Sequence, residues 1–138
     1  MPINFFSEDT SFVQPDQKAV IAWVEQVVVN EKRALGDLNF IYCSDTHLLE
    51  MNMSYLNHDT YTDIITFDNS ESVEQISGDI FISVDRVKEN AVALTTTFEQ
   101  ELDRVMIHGV LHLIGYNDKT VEEKSQMREK EDAWLSLR

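Results

Sequence analysis

The most continuous hydrophobic stretch of the chain covers residues 105–114. Apart from Gly109, every residue of this stretch is apolar except two histidines, His108 and His112. A helix that is apolar nearly all round belongs in a protein interior. A capping-box pattern begins at Thr97, and Gly115 follows the stretch. The pattern therefore predicts a buried helix that begins just after Thr97 and ends at Gly115.

Other patterns predict further helices and a small sheet around this central helix. The further helices are predicted over about 15–30, 44–56, 85–94 and 120–137, and residues 57–61 are predicted to form a loop. In the first helix the spacing of the apolar residues predicts a buried face, which consists of Val20, Trp23, Val24, Val27 and Val28. Strands are predicted at 38–43, 64–67 and 78–84, with a fourth near Asn4. The fold class is α+β, a small mixed β-sheet of three to four strands covered by helices, with the histidine helix at its centre.

Size and composition indicate one domain over residues 1–138. The chain is long enough to bury a core without disulfides, and 43% of its residues are hydrophobic. No apolar run approaches the roughly 20 residues that a membrane span needs, and the N-terminus lacks the pattern of a signal peptide. Cys43 is the single cysteine, in an apolar run where we expect a core residue and not a nucleophile. A cytoplasmic location is the natural interpretation.

The charge balance limits how the protein could hold nucleic acid. Eleven Lys and Arg residues face twenty-five Asp and Glu residues, which gives a net charge of −14. Extended, non-specific binding to RNA phosphates is therefore not expected. A short contact beside a bound divalent ion remains compatible with this charge, because the ion supplies positive charge of its own. An RNA substrate would need a small basic patch, or a partner such as the ribosome, to hold it.

The two histidines are candidate metal ligands. They stand four residues apart, which places both rings on one face of a helix, and Asp118 follows the helix-ending glycine closely. Two imidazoles and a carboxylate leave a fourth position open, as catalytic zinc sites do, although iron and manganese also suit this set. Two alternatives to a metal site remain open. The histidines could be core residues hydrogen-bonded to backbone carbonyls, and Asp118 could be an acidic residue near the N-terminus of the next helix, which starts near Thr120.

Gly109 bears on both the chemistry and the packing of this helix. A metallopeptidase helix carries a glutamate base beside its first histidine, and Gly109 occupies that place here, which disfavours a peptidase. Glycine also costs about 1 kcal/mol in a helix interior relative to alanine. Close approach of a substrate or another backbone would explain it, and so would tight packing of the helix on the sheet.

Three blocks of this sequence resemble the YbeY family of metal-dependent single-strand endoribonucleases. Residues 108–116 resemble the family's His-Gly-x-Leu-His-Leu-x-Gly-Tyr-Asp-His signature. The other blocks are Met51-Asn52 with Tyr55, Asp59 and Thr62-Asp63-Ile64-Ile65-Thr66-Phe67, and Gly78-Asp79-Ile80. Three positions depart from the family pattern. Asp118 stands where a third histidine is usual, Asn117 where an aspartate is usual, and Leu56 where an arginine is usual.

The resemblance implies a zinc-dependent endoribonuclease. It would act on single-stranded RNA in ribosomal RNA maturation, at the 3′ end of the small-subunit rRNA, and in ribosome quality control. The expected partner is ribosomal RNA on the ribosome, with no DNA and no membrane. The resemblance also strengthens His108, His112 and Asp118 as the metal ligands, with one zinc ion. The alternatives are a zinc metallohydrolase of another class and a metal-stabilised interaction protein on the ribosome.

The catalytic residues are left open by the sequence. Arg104, one turn before His108, and Arg86 are weak candidates for a cation that contacts the phosphate. Each is more often a solvated charge or an ion-pair partner. His58 could approach the cleft from its loop, but a surface role is the simpler expectation.

Overall fold

The computed structural model describes residues 2–56 and 62–138, except for the side chains of Tyr55 and Leu56. The predictions for His58 and Asp59, and any contact of the Leu56 side chain, lie outside the described residues. The strands are β1 (Ile3–Ser7), β2 (Ala34–Cys43), β3 (Ile64–Asp68) and β4 (Gln75–Ser83). The helices are α1 (Gln17–Asn30), α2 (Asp45–Leu56), α3 (Val84–Ala93), α4 (Phe98–Ile114) and α5 (Val121–Leu135).

The four strands form one mixed sheet in the order β1-β2-β4-β3. β2 is parallel to both of its neighbours, whereas β3 is antiparallel to β4. The β2–β4 pairing sets Phe40 opposite Ile80, and the β3–β4 pairing sets Ile64 opposite Ile82. The predicted α+β class, with its small mixed sheet of three to four strands, is confirmed.

Both faces of the sheet are covered by helices. Alternate residues of a strand point to opposite sides, so one strand can contribute to the cores on both sides. Phe40, Ile80 and Ile82 belong to the main core, together with the buried residues of α1 and α4. Cys43 and Ile65 belong to a smaller cluster with Leu48 of α2. The buried face of α1 is Val20, Trp23, Val24, Val27 and Val28, as its spacing predicts. Helix α4 is central, since it packs against α1, α3, α5, β3 and β4.

Local signals fix both ends of α4. The Thr97 side chain accepts a hydrogen bond from the backbone N–H of Gln100, which confirms the predicted N-cap. The side-chain oxygen of Gln100 accepts a hydrogen bond from the Thr96 hydroxyl instead, so the predicted capping box is only half formed. At the other end Gly115 has φ = 125°, a conformation that favours glycine. The backbone N–H groups of Gly115 and Tyr116 return to the Leu111 carbonyl, which ends the helix as predicted.

Three elements begin two or more residues away from the position that the sequence predicts, and α5 ends at Leu135, before the predicted end. β2 and β4 begin earlier than expected, because residues 34–35 of β2 pair with residues 75–76 of β4 ahead of a register irregularity. The polar residues at this irregularity break the alternation on which strand prediction depends. Helix α1 begins at Gln17, after Pro15 and not at it, since Asp16 takes a left-handed conformation at the N-cap.

Gly109 is explained by packing of α4 on the sheet. A Cβ atom at this position would lie 2.9 Å from Cδ1 of Ile64 and 3.0 Å from Cγ2 of Ile80. Glycine therefore lets α4 approach β3 and β4 closely, and substrate contact is not needed to account for it. The close approach holds the adjacent His108 at a fixed depth relative to the sheet. No helix within residues 2–56 and 62–138 has both the length and the apolarity to cross a membrane.

Candidate metal centre

The structure brings His108, His112 and Asp118 together. The two imidazole rings lie edge to face, with their centroids 4.8 Å apart. Nε2 of His108 is 3.2 Å from Oδ2 of Asp118, and Nε2 of His112 is 3.4 Å from Oδ1 of the same carboxylate. One ligand atom from each residue falls within 4.8 Å of the other two. The i,i+4 spacing on α4 and the turn after it bring these three residues together.

The turn that carries Asp118 is anchored at both ends. Gly115 redirects the chain, and the Tyr116 hydroxyl donates to Oε1 of Glu31 at 2.7 Å, which ties the turn to the end of α1. Beyond Asp118, Thr120 begins α5 with a complete capping box. The bonded Tyr116 hydroxyl agrees with a packing role for this aromatic residue. These contacts hold the carboxylate against the two rings, although it lies outside the helix that carries them.

A buried glutamate that the sequence did not indicate contacts the ring nitrogen of His108 that does not face Asp118. Oε2 of Glu131, on α5, is 2.6 Å from Nδ1 of His108, and Oε1 accepts from Nη1 of Arg104 at 2.8 Å. Burial alone would raise the pKa of Glu131, but the bonds from His108 and Arg104 outweigh it and lower that pKa. An ionised carboxylate can only accept, so Nδ1 of His108 carries the proton of this bond.

The same contacts raise the pKa of His108. Burial would lower it, but the hydrogen bond to Glu131 and the nearby negative charges, Asp118 among them, more than compensate. Below its raised pKa both ring nitrogens of His108 carry protons, and above it only Nδ1 does. Nε2, on the Asp118 side, is then free to act as a ligand atom. A carboxylate behind a histidine of this kind orients ligating imidazoles in metal sites.

The ligand atoms have the chemistry and spacing for a divalent ion. Nitrogen and oxygen ligands at about 2.0–2.2 Å from a tetrahedral ion are themselves about 3.4 Å apart. The distances from Nε2 of His108 to Oδ2 of Asp118 (3.2 Å) and from Nε2 of His112 to Oδ1 (3.4 Å) are near that spacing, and one ligand atom from each residue lies within 4.8 Å of the other two. The three side chains are 21%, 28% and 38% exposed, so an ion could enter and keep an outward position. His108, His112 and Asp118 could therefore hold a metal ion.

A cavity of about 410 Å³ opens beside this cluster and is bordered by His108 and Asp118. Two further carboxyl groups, Asp63 and Glu101, lie on its wall. Burial is the main cause that raises the pKa of each, and for Glu101 the charge of Asp63 adds to it. The cavity therefore combines metal-ligating groups with carboxyl groups that hold a proton more readily than usual.

The two arginines proposed from sequence are engaged in ion pairs. Arg104 borders the cavity, but it pairs with Glu131 at 2.8 Å and with Asp132 at 2.7 Å. Arg86 pairs with Asp45 at 2.8 Å and is not among the residues that border this cavity. These contacts favour the ion-pair alternative for both side chains. A catalytic role for either one stays a prediction.

Cys43 has the structural role that its apolar surroundings predict. Its side chain is fully buried, and its thiol donates to the Ile82 carbonyl at 3.5 Å. Burial, supported by nearby carboxylates, raises the pKa of the thiol to about 12. A thiol that stays protonated in the core is not suited to act as a nucleophile.

Comparison with known proteins places these features in a family. A family model described as endoribonuclease YbeY matches residues 4–137. An endoribonuclease YbeY from Cytophaga hutchinsonii is 54% identical over 136 residues, covering 99% of this chain and 95% of the relative. One from Amoebophilus asiaticus is 47% identical, covering 96% of this chain and 90% of the relative.

A solved structure agrees with the fold. The solution structure of a Thermotoga maritima protein matches with a TM-score of 0.67 and 29% sequence identity, covering 97% of this chain and 87% of that one. The sequence matches extend through the histidine helix and the turn with Asp118, and not only through the sheet. The chain belongs to the endoribonuclease YbeY family.

Proposed function

We propose that this protein is a metal-dependent endoribonuclease that cleaves single-stranded RNA during ribosomal RNA maturation. Membership of the endoribonuclease YbeY family supports the nuclease activity. The observation that carries the metal dependence is the cluster of His108, His112 and Asp118 beside an open cavity. Action at the 3′ end of the small-subunit rRNA, a part in ribosome quality control, ribosome association and a cytoplasmic location belong to the same proposal.

Zinc is the proposed ion. Two imidazoles and a carboxylate suit zinc, and the outward position suits a catalytic rather than a structural site. When bound, a divalent ion supplies positive charge for a phosphate group and assists hydrolysis. The carboxylate of Asp118 would offset part of that charge, which a third histidine would not do.

The remaining groups have roles that follow from their contacts. Glu131 keeps the proton of neutral His108 on Nδ1, which leaves the lone pair of Nε2, the nitrogen that faces Asp118, free for an ion. Glu101 and Asp63 are the carboxyl groups on the cavity wall with raised pKa values, and they are the candidates to take up or release a proton. Arg104 acts on the site through Glu131, which it holds in place from the side opposite His108.

The proposal is tested by metal analysis and RNA cleavage on the same preparations. Wild type loaded with zinc should cleave a single-stranded RNA, and should leave the matching RNA duplex and single-stranded DNA intact. A chelator should abolish cleavage, and zinc should restore it. His112→Ala and His108→Ala should each lose stoichiometric metal and activity. His47→Ala, on α2 and outside the cluster, is the matched control and should retain both.

Two results would contradict the proposal in different ways. Full metal content in both His108→Ala and His112→Ala would remove the metal site from α4. Absence of RNA cleavage by wild type with zinc, manganese or iron would remove the nuclease function. Co-sedimentation of the protein with ribosomes in a sucrose gradient tests the ribosome partner separately.

A further inference from the structure

Two cations of α5 stand beside the metal cluster. Lys124 and Arg128 both border the cavity that His108 and Asp118 also border. They are four residues apart on one helix, so their side chains share a face, about 6 Å apart along the helix axis. Both side chains are exposed. Neither forms an ion pair or a side-chain hydrogen bond with any residue in 2–56 or 62–138.

Other cations near the site are already neutralised. Arg104, which also borders the cavity, pairs with two carboxylates of α5, Glu131 and Asp132. Among the described residues that border the cavity, Lys124 and Arg128 are thus the only cations without an ion pair. Other cations, Lys18 and Lys32 among them, also form no ion pair within the described residues, so Lys124 and Arg128 are distinguished by their position at this cavity.

Of the four carboxyl groups of described residues that border the cavity, Glu131 and Asp118 have contacts of their own. Glu131 is held by Arg104 and His108, and Asp118 faces the rings of His108 and His112. Glu101, which is only 6% exposed, has no hydrogen-bond partner for its carboxyl group among the described residues. The Arg128 charge acts on that carboxyl. Lys124 and Arg128 therefore supply the attraction for a phosphate group in the cavity, against the carboxyl groups of Asp63 and Glu101, which form no ion pair within the described residues.

Arg128 also marks a route out of the site. A second cavity, of about 550 Å³, shares Glu101, Arg104 and Arg128 with the first. Arg128 therefore stands at the border between the two spaces, on the side of the molecule where α4 and α5 meet. A flexible strand that enters at the metal cluster could continue past Arg128 into the second cavity.

We propose that Lys124 and Arg128 form a phosphate-binding subsite that holds the backbone of single-stranded RNA next to the metal cluster. The subsite rests on the proposed nuclease function and supplies the basic patch that an acidic chain needs for an RNA substrate. The contact is short and electrostatic, so it fixes the position of the strand without reading its sequence. In this proposal the positive charge for the phosphate comes from α5. It does not depend on the position of Leu56, where an arginine is usual in the family.

The test compares variants that change net charge equally. Lys124→Gln with Arg128→Gln removes the subsite, whereas Lys18→Gln with Lys32→Gln removes two exposed charges that do not border the cavity. The readout is binding of zinc-loaded protein to a short fluorescent 2′-O-methyl RNA, followed by anisotropy over a range of salt concentrations. Cleavage of the unmodified RNA is measured in parallel, and circular dichroism verifies the fold of each variant.

The subsite variant should bind the RNA on the order of tenfold more weakly than wild type near physiological salt. The slope of log affinity against log salt should become shallower by about 1.4, because each phosphate contact to a single strand contributes about 0.7. The control double variant should keep the wild-type slope. The exchanged pair, Lys124→Arg with Arg128→Lys, should restore most of the affinity, since it retains both charges.

The outcomes separate the subsite from the function on which it rests. If wild type binds and cleaves RNA but the subsite variant matches the control in affinity and slope, the subsite is overturned and the nuclease function stands. If wild type with metal neither binds nor cleaves RNA, the nuclease function fails and the subsite fails with it. The single charge reversals Lys124→Glu and Arg128→Glu show whether one cation carries the whole effect.

Discussion

Replacing Glu131 by glutamine tests how strongly the buried carboxylate supports the metal site. The Glu131 side chain is 6% exposed, with Oε2 at 2.6 Å from Nδ1 of His108 and Oε1 at 2.8 Å from Nη1 of Arg104. Glutamine has nearly the same size, but it has one acceptor and one amide donor in place of two acceptors. Its NH₂ group must therefore face one of two donors, either Arg104 or His108. The substitution removes the charge and one of the two bonds while the volume is kept.

The expected loss appears in metal affinity and in stability. Removing a carboxylate that orients a ligating histidine typically weakens metal binding about 10- to 100-fold, which corresponds to about 1.4–2.8 kcal/mol. The metal-free protein should also lose about 1.5–3 kcal/mol of unfolding free energy, because a buried charge-assisted hydrogen bond is broken. The stability loss is expected near neutral pH, since the lowered pKa of Glu131 keeps the native carboxylate ionised there.

Asp132→Asn provides the matched control. Asp132 is the next residue of α5 and also pairs with Arg104, at 2.7 Å, but it is 59% exposed. Zinc affinity is measured by competition with a chromophoric chelator, and unfolding free energy is measured in urea with and without metal. The absorption spectrum of the cobalt-substituted proteins reports a change of ligand geometry that a general loss of stability would not produce. Glu131→Gln with the zinc affinity and cobalt spectrum of Asp132→Asn would refute the reasoning.

Three further changes test the ligand set, the anchored turn and the sheet. Asp118→His should keep stoichiometric metal and lower the pH at which RNA cleavage rises, because a neutral ligand leaves more positive charge at the site; an unchanged pH profile with normal metal content would argue against Asp118 as a ligand. Burial alone would raise the pKa of Glu31, but the hydrogen bonds it accepts, the first of them from Tyr116, lower that pKa below 4.5. Glu31→Gln should therefore cost about 1–3 kcal/mol near neutral pH, and urea unfolding should show this difference disappearing as the pH falls through the folded pKa of Glu31. Gly78→Ala would press a Cβ atom on the Phe67 carbonyl of the neighbouring strand. It should cost about 1–3 kcal/mol in thermal unfolding, and an unchanged melting temperature would contradict this packing.

The parts of the site that the sequence predicts are those with local causes. His108 and His112 share a face because of helix geometry alone, and the cap at Thr97 and the turn at Gly115 depend on neighbouring residues. Asp118 follows within reach of that turn. Strands β2 and β4, which are longer than their patterns predict, show the limit of the same reasoning. Residues 34–35 join β2 only because β4 pairs with them, and their own pattern does not indicate it.

Glu131 could not be predicted, because nothing local distinguishes it from its neighbours. It lies 23 residues after His108 in a helix rich in Glu and Lys, where most side chains are exposed. Only the packing of α5 on α4 decides which of those carboxylates is buried. Met127, one turn earlier on the same face, is also buried, and this apolar anchor is the one sequence signal that could have indicated it.

The net charge of the chain and the charge at the site are different quantities, and the structure shows why they diverge. Glu131 and Asp132 form ion pairs with Arg104, so the charge of this sequence-predicted cation is already compensated within the protein. On the same helix Lys124 and Arg128 border the cavity without an ion pair within the described residues. Helix α5 therefore carries both the carboxylate that orients a candidate metal ligand and the cations that face the open space beside it. In this arrangement an acidic protein can hold an anionic substrate at one place, because the charge at the site depends on which side chains pair with one another and not on the sum over the chain.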